Sequence, residues 1–274
     1  MLKSRAKKNR DPTHPPTILI RTPDMNHSMN VRTTRPIRRW LTALVCALGA
    51  LGGSIVATTT TAPAASAAPC SDVAVVFARG TAEPAPMLGL TGISFVESMR
   101  SQLRGKSVAA EGVNYAASDK FNNRVVFVRS VADGVRQTQR DVTAIARSCP
   151  KTRIVLGGYS QGAVVAGYAT SGKIAIPDRY RQYEREVPPP LPADVASHIA
   201  AIVMFGAPSD RFITDIGAPP VRVGSAYRGR TVRYCIPGDT ICNGAPVGGP
   251  NATHVLYTVN GMTMDAARFA VRRL

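Results

Sequence analysis

Arg153-Ile154-Val155-Leu156-Gly157-Gly158-Tyr159-Ser160-Gln161-Gly162 is the stretch on which the reading of this chain turns. Three successive branched apolar residues, Ile154 to Leu156, mark a central strand buried on both faces. A helix is expected to follow at once, from Gln161 to about Ala169. Gly158-Tyr159-Ser160-Gln161-Gly162 spells G-x-S-x-G at the junction. An isolated copy of that pattern carries little information, but between a buried strand and a helix it describes a sharp turn that lifts a serine hydroxyl clear of the backbone. The flanking glycines supply the freedom such a turn needs.

Working outward, apolar runs of strand length alternate with segments of helical period, the pattern of βαβ units and a parallel sheet covered on both faces. Asp72 to Ala78 reads as the first strand, ending in Arg79-Gly80-Thr81, with a helix from Phe95 to Leu103 and a strand from Val108 to Tyr115. Ser130-Val131-Ala132-Asp133 has the form of a capping box. Val131, Val135, Val142, Ile145 and Cys149 recur at helical spacing behind it, predicting a helix to Ser148 that Pro150 ends. Ile199 to Phe205 and Thr231 to Cys235 read as further strands and Met264 to Arg273 as the last helix. The charged stretch Asp178 to Glu186 and the Pro-rich Val187 to Pro192 form a surface excursion.

A serine hydroxyl is a poor nucleophile at neutral pH, so Ser160 needs a base within hydrogen-bond reach and an acid to fix that base's tautomer. The chain has four histidines. His14 and His27 fall in the N-terminal segment, and His198 precedes a central strand, whereas sites in open α/β sheets gather at the carboxyl ends of strands. His254 is left as the base. The acid is expected between serine and histidine in chain order, after a late strand. Asp239 fits that place, Asp210 and Asp215 are rivals, and Asp265 is more simply the N-terminal charge of the last helix. For an oxyanion, the backbone N–H of Gln161 and the backbone N–H and hydroxyl of Thr81 are the expected donors.

With 274 residues, 45% of them apolar, the chain has material for one full core. Residues 1–67 look like an export segment: Arg35, Arg38 and Arg39 lead into an apolar run from Leu41 to Val56, and Ala65-Ser66-Ala67 fits a cleavage site. Gly49, Gly52, Gly53 and Ser54 weaken the rival reading, a retained membrane anchor. Met29 (or Met25) offers an alternative translation start. The expected product is a secreted domain over residues 68–274, cleaved near Ala67 and free of tryptophan, since Trp40 lies upstream. Of the formal charge of +17, residues 1–67 supply ten Lys/Arg against two Asp/Glu, which leaves +9 for the domain. Its basic residues are scattered without aromatic interleaving, so no nucleic-acid partner is expected. Attraction to an acidic cell envelope is the simpler use of that charge. Four cysteines remain after cleavage, and an exported chain favours pairing them. Of the three arrangements, Cys70–Cys149 with Cys235–Cys242 is the one expected. A zinc site from Cys235, Cys242 and His254 matches no common ligand spacing.

Taken together, these residues resemble the cutinase family. The carriers are Phe77-Ala78-Arg79-Gly80-Thr81 with Glu83, Gly158-Tyr159-Ser160-Gln161-Gly162-Ala163, the Cys235 to Cys242 block, and His254 leading toward Asn260-Gly261-Met262. The resemblance covers residues 70 to 274. It implies an α/β-hydrolase fold, two disulfides, no metal or organic cofactor, and hydrolysis of carboxylic esters through an acyl-enzyme. The positions matching Ser160, Asp239 and His254 would form the triad, and those matching Thr81 and Gln161 the oxyanion hole. Ala207, in Phe205-Gly206-Ala207-Pro208, departs from the polar residue expected there. A monomer acting on short- to medium-chain lipid or polyester-type esters is expected, with Leu88, Leu90, Pro188 to Leu191, Val255 and Leu256 as candidate lining of an acyl groove. A noncatalytic, basic envelope-binding protein on the same fold is the rival from another class.

Overall fold

The computed structural model describes residues 69–84 and 86–274. The expected export segment, its expected cleavage near Ala67 and the alternative start at Met29 lie outside the described residues. Five parallel strands, β1 (Val73–Ala78), β2 (Val108–Gly112), β3 (Arg153–Tyr159), β4 (Ile199–Phe205) and β5 (Thr231–Tyr234), form one sheet in the order β2-β1-β3-β4-β5. Between them run α1 (Gly89–Gln102), α2 (Arg124–Ser148), α3 (Gln161–Ala169), α4 (Ala193–His198) and α5 (Asp210–Asp215), and α6 (Met262–Val271) closes the chain.

Every residue of β1 and β4 is buried, because helices cover both faces. The period-2 alternation of a strand then sorts side chains into two cores. Val76, Ala78, Ile154, Leu156, Ile202 and Met204 face α2 and α3. Val73, Val75, Phe77, Val155, Val203 and Phe205 join the core that holds residues of α1 and α6. Each such Val, Leu, Ile, Met or Phe side chain, once removed from water, contributes ~1.5–3 kcal/mol. The strand order reverses between β1 and β3, so the crevice at their carboxyl ends is where the fold places a ligand.

Two elements begin earlier than the sequence pattern predicts. Helix α2 starts at Arg124, and its N-cap is Asn123, whose side chain accepts from the N–H of Val126 at 3.2 Å. Ser130 is therefore no cap: it is buried in the helix interior, and its Oγ accepts from the N–H of Ser118. Helix α1 starts at Gly89, before the expected Phe95, because Gly92 is helical. A Cβ there would come 2.7 Å from the Phe77 ring, so glycine here serves close packing. Strand β2 runs only to Gly112, short of the expected Tyr115, and a Cβ on Gly112 would meet the Met87 backbone at 2.5 Å.

Candidate active site

Ser160 follows β3 directly and has φ 53° and ψ −115°, a backbone region that residues with a side chain avoid. The two glycines of the motif make that turn feasible. A Cβ on Gly158 would lie 2.1 Å from the Gly162 carbonyl oxygen, and one on Gly162 would lie 1.9 Å from that of Ala78. The N–H of Ser160 donates to the Phe205 carbonyl at 2.9 Å, anchoring the turn to the end of β4.

His254 sits in a 3-10 segment, Ala252–Thr258, with its Nε2 2.9 Å from Ser160 Oγ. Its Nδ1 lies 2.8 Å from Oδ2 and 3.0 Å from Oδ1 of Asp239. The imidazole is 3% exposed and Asp239 0%, so the row has its charged end in the interior and its serine end at the surface. Tyr159, beneath the turn, donates its hydroxyl to the His254 carbonyl at 2.8 Å. Gly206, at φ +53°, would carry a Cβ 2.9 Å from His254 Cε1, so this corner between β4 and the histidine is open only to glycine. Its neighbour Ala207 is buried in the core, which suits an apolar residue there.

Asp239 is held by a loop that follows β5 and is closed by the Cys235–Cys242 disulfide. Gly238 turns the backbone at φ +90°, and Asn251 Nδ2 donates to the Gly238 carbonyl at 2.7 Å, tying the acid's loop to the histidine's segment. Burial pushes the Asp239 carboxyl up. Hydrogen bonds from His254, Tyr257 and the Ile241 N–H outweigh it and hold the group below the usual carboxylate range. An ionised Asp239 accepts a hydrogen bond from the Nδ1–H of His254, which leaves the Nε2 lone pair facing Ser160 Oγ. The arrangement is chemically that of a hydroxyl, a base and a group that fixes the base's tautomer.

Gln161 opens α3, where the first N–H groups of a helix lack intrahelical acceptors. Thr81 lies half-buried in the turn after β1. Arg79 fixes that turn: Nε donates to the Glu83 carbonyl at 3.1 Å, Nη2 to the Tyr115 carbonyl at 2.8 Å, and its guanidinium stacks over the Tyr115 ring. The Glu83 carboxylate accepts from the N–H groups of Gly80 (2.6 Å) and Leu90 (3.0 Å), so it clamps the turn to the N-terminus of α1. The roles of Arg79, Glu83, Tyr115, Tyr159 and Tyr257 were not read from the sequence. The tyrosines act through partners 18 or more residues away, and only the run Arg79 to Glu83, whose contacts are partly local, gave any signal.

The rival residues lie elsewhere. His198, at the end of α4, faces the Thr152 carbonyl at 3.5 Å, on the edge where β3 and β4 begin. Asp210 pairs with Arg222 and Asp215 with Arg211, while Asp265 pairs with Arg268 in the first turn of α6. Cys70 bonds to Cys149, as Cys235 does to Cys242, so neither thiol of the weighed zinc set is free as a ligand.

The cutinase family model matches residues 69–274. The chain belongs to the cutinase family. Among its relatives, the probable carboxylesterase Culp7 of Mycobacterium tuberculosis is 44% identical over 176 residues, covering 64% of this chain and 89% of that protein. Carboxylesterase Culp1 of Mycobacterium bovis is 41% identical over 231 residues, 81% of this chain and 94% of Culp1. A solved cutinase from Trichoderma reesei, in complex with a phosphonate inhibitor, superposes with TM-score 0.54 at 30% identity, over 74% of this chain and 77% of that one. Membership makes this cutinase-like chain a carboxylic ester hydrolase with an α/β-hydrolase fold.

Proposed function

We propose that the chain hydrolyses carboxylic esters through an acyl-enzyme on Ser160, with His254 as general base and Asp239 orienting it. The observation that carries this is the continuous row from Ser160 Oγ to His254 Nε2 at 2.9 Å and from His254 Nδ1 to Asp239 Oδ2 at 2.8 Å. Ser160 Oγ attacks the ester carbonyl carbon as its proton passes to His254 Nε2. The oxyanion is taken up by the N–H of Gln161 and by Thr81, and the alcohol leaves with the proton from His254. Water, deprotonated by the same imidazole, then releases the acid.

The substrate we infer is a short- to medium-chain lipid or polyester-type ester. Leu90 is 64% and Val255 63% exposed, and the segments that carry them meet, since Ser94 Oγ of α1 donates to the Thr258 carbonyl at 3.0 Å. Leu88, Leu256 and these two are therefore the apolar residues we assign to the acyl side of the site, on the segments next to His254 and the start of α1. Pro188 to Leu191 are not among them. Gln139 Nε2 donates to the carbonyls of Pro189 at 2.8 Å and Ala169 at 3.2 Å, which puts the Pro-rich run beside the far end of α3, ~13 Å from Ser160 at 1.5 Å per helical residue. We infer secretion and association with the cell envelope as a monomer: two disulfides support an oxidising compartment, where such bonds persist, and the +9 charge supports attraction to an acidic envelope.

The test is hydrolysis of p-nitrophenyl esters from acetate to palmitate, by the protein and by Ser160→Ala. The expected profile is serine-dependent and peaks at intermediate chain length. Hydrolysis retained by Ser160→Ala, with contamination excluded, overturns the assignment of the nucleophile.

A further inference from the structure

Tyr257 has no step in the reaction above, yet among the described residues it heads the largest fully buried side chains. Its ring is packed on several sides. It meets His254 edge-on, with centroids 6.2 Å apart and planes at 87°, and lies 5.8 Å from the Tyr159 ring and 6.2 Å from that of Phe205. A Cβ on Gly206 would come 3.0 Å from its Cε2. The phenol therefore cannot swing away from where it points. Its hydroxyl donates to Asp239 Oδ2 at 2.6 Å and accepts from the N–H of Ile236 at 3.1 Å, with Cys242 Sγ at 3.3 Å.

A buried hydroxyl has to find partners, and for packing alone phenylalanine would fill the same space. The Ile236 N–H explains why an acceptor is useful here, but the hydroxyl proton goes to the carboxylate that faces His254. Asp239 then has each oxygen engaged twice: Oδ1 accepts from the Ile241 N–H at 3.0 Å and faces His254 Nδ1, while Oδ2 faces the same Nδ1 and accepts from Tyr257. Donors on both sides stop rotation of the carboxylate about its Cβ–Cγ bond.

We propose that Tyr257 is a positioning residue for ester hydrolysis, whose hydroxyl holds the Asp239 carboxylate toward His254 Nδ1 and tempers the negative charge that it presents to the imidazole. This rests on the roles given above to Ser160, His254 and Asp239. The titratable groups facing the His254–Asp239 pair are Tyr257, Tyr159 from the end of β3, and Ser160. Glu83 lies beyond Tyr159, bound to the Gly80 N–H. Burial, with the Asp239 hydrogen bond second, pushes the Tyr257 phenol far above its ordinary value, so it stays a donor throughout the working range.

In Tyr257→Phe, Asp239 keeps its contact with His254 but loses one donor. Losing a hydrogen bond to a charged group predicts a kcat lower by roughly 10-fold, with KM unchanged. The less neutralised carboxylate favours the imidazolium more, so the acidic limb of the kcat/KM profile moves to higher pH. A merely structural role would lower the melting temperature and leave the limb where it is, and that outcome overturns the proposal. Site-specific 3-fluorotyrosine at position 257 keeps the donor and makes it more acidic. It is expected to move the limb to lower pH, and it serves where Tyr257→Phe does not fold; an unmoved limb there also overturns the proposal. Ser160→Ala separates the two levels: hydrolysis retained in it sinks the triad reading, whereas an inactive Ser160→Ala beside a Tyr257→Phe with wild-type kcat and pH profile sinks only the role of Tyr257.

Discussion

Asp239 and Asp141 are the buried carboxylates among the described residues, at 0% and 7% exposure, and the protein treats them in opposite ways. Asp239 has donors on both oxygens, and these hold its carboxyl below the usual range in spite of burial. Asp141, on the inner side of α2, accepts from Gln137 Nε2 at 2.5 Å through Oδ1, and its Oδ2 has no hydrogen-bond partner. Burial raises its carboxyl, and neither Gln137 nor the charge of Arg140 reverses that. Exposure alone would not separate the two. What separates them is the number of donors aimed at the charge, which is also what distinguishes a carboxylate that can steady an imidazolium from one that is only tolerated.

The largest effect expected from breaking this contrast is on turnover. Asp239→Asn removes the charge and permits the wrong histidine tautomer, so kcat should fall roughly 10^4-fold while the fold survives. Steady-state kinetics on a p-nitrophenyl ester checks it, and a loss below 10-fold would mean that the acid lies elsewhere.

Both regions are stapled by a disulfide, and the staples sharpen the comparison. Cys70–Cys149 ties the end of α2 to the chain before β1 across a separation of 79 residues, and Cys235–Cys242 closes the Asp239 loop across 7. From loop-closure entropy, removing the first as a Cys→Ala pair should cost about 4.5 kcal/mol of stability and removing the second about 2.5 kcal/mol. Activity per folded molecule should follow the opposite order. The first variant keeps its kcat, and the second loses roughly 10-fold because the carboxylate is no longer held to position. Denaturant titration with active-site titration by a fluorophosphonate reads both quantities, and parallel losses would refute a local role for the second bridge.

The contrast also marks what the sequence made legible. Ile154 to Leu156 next to Gly158-Tyr159-Ser160-Gln161-Gly162 revealed β3, the turn and α3 because strand burial, turn and helix follow one another along the chain. His254 came by elimination among four histidines, and Asp239 by chain order. The first turns of α2 were not legible, since Val125, Val126 and Val128 are exposed and break the amphipathic period. Gly89 and Gly92 hid the start of α1 for a different reason: their smallness answers to Glu83 and Phe77, contacts made only in three dimensions. The same is true of Tyr257. Nothing in Thr253 to Tyr257 as a string says that its hydroxyl reaches a carboxylate 18 residues upstream.

The smallest expected effect is the one that isolates the cost of an under-donated charge. Asp141→Asn retains a carbonyl for Gln137 and removes the charge, so at pH 7 it should stabilise the protein by about 1 kcal/mol and leave kcat unchanged. The sign with pH follows from the raised carboxyl. Its penalty is complete above the folded value, shrinks as pH falls through it, and is gone below the unfolded value of about 3.9. Asp239 runs the other way: its stabilisation is complete above about 3.9 and is lost only as pH falls through its lowered folded value. Urea unfolding of the wild type and Asp141→Asn at pH 7 and at pH 4 should therefore show a gain that shrinks sharply at the lower pH. A gain that persists undiminished at pH 4 would trace the effect to packing, and it would leave the count of donors as no explanation of why these two carboxylates differ.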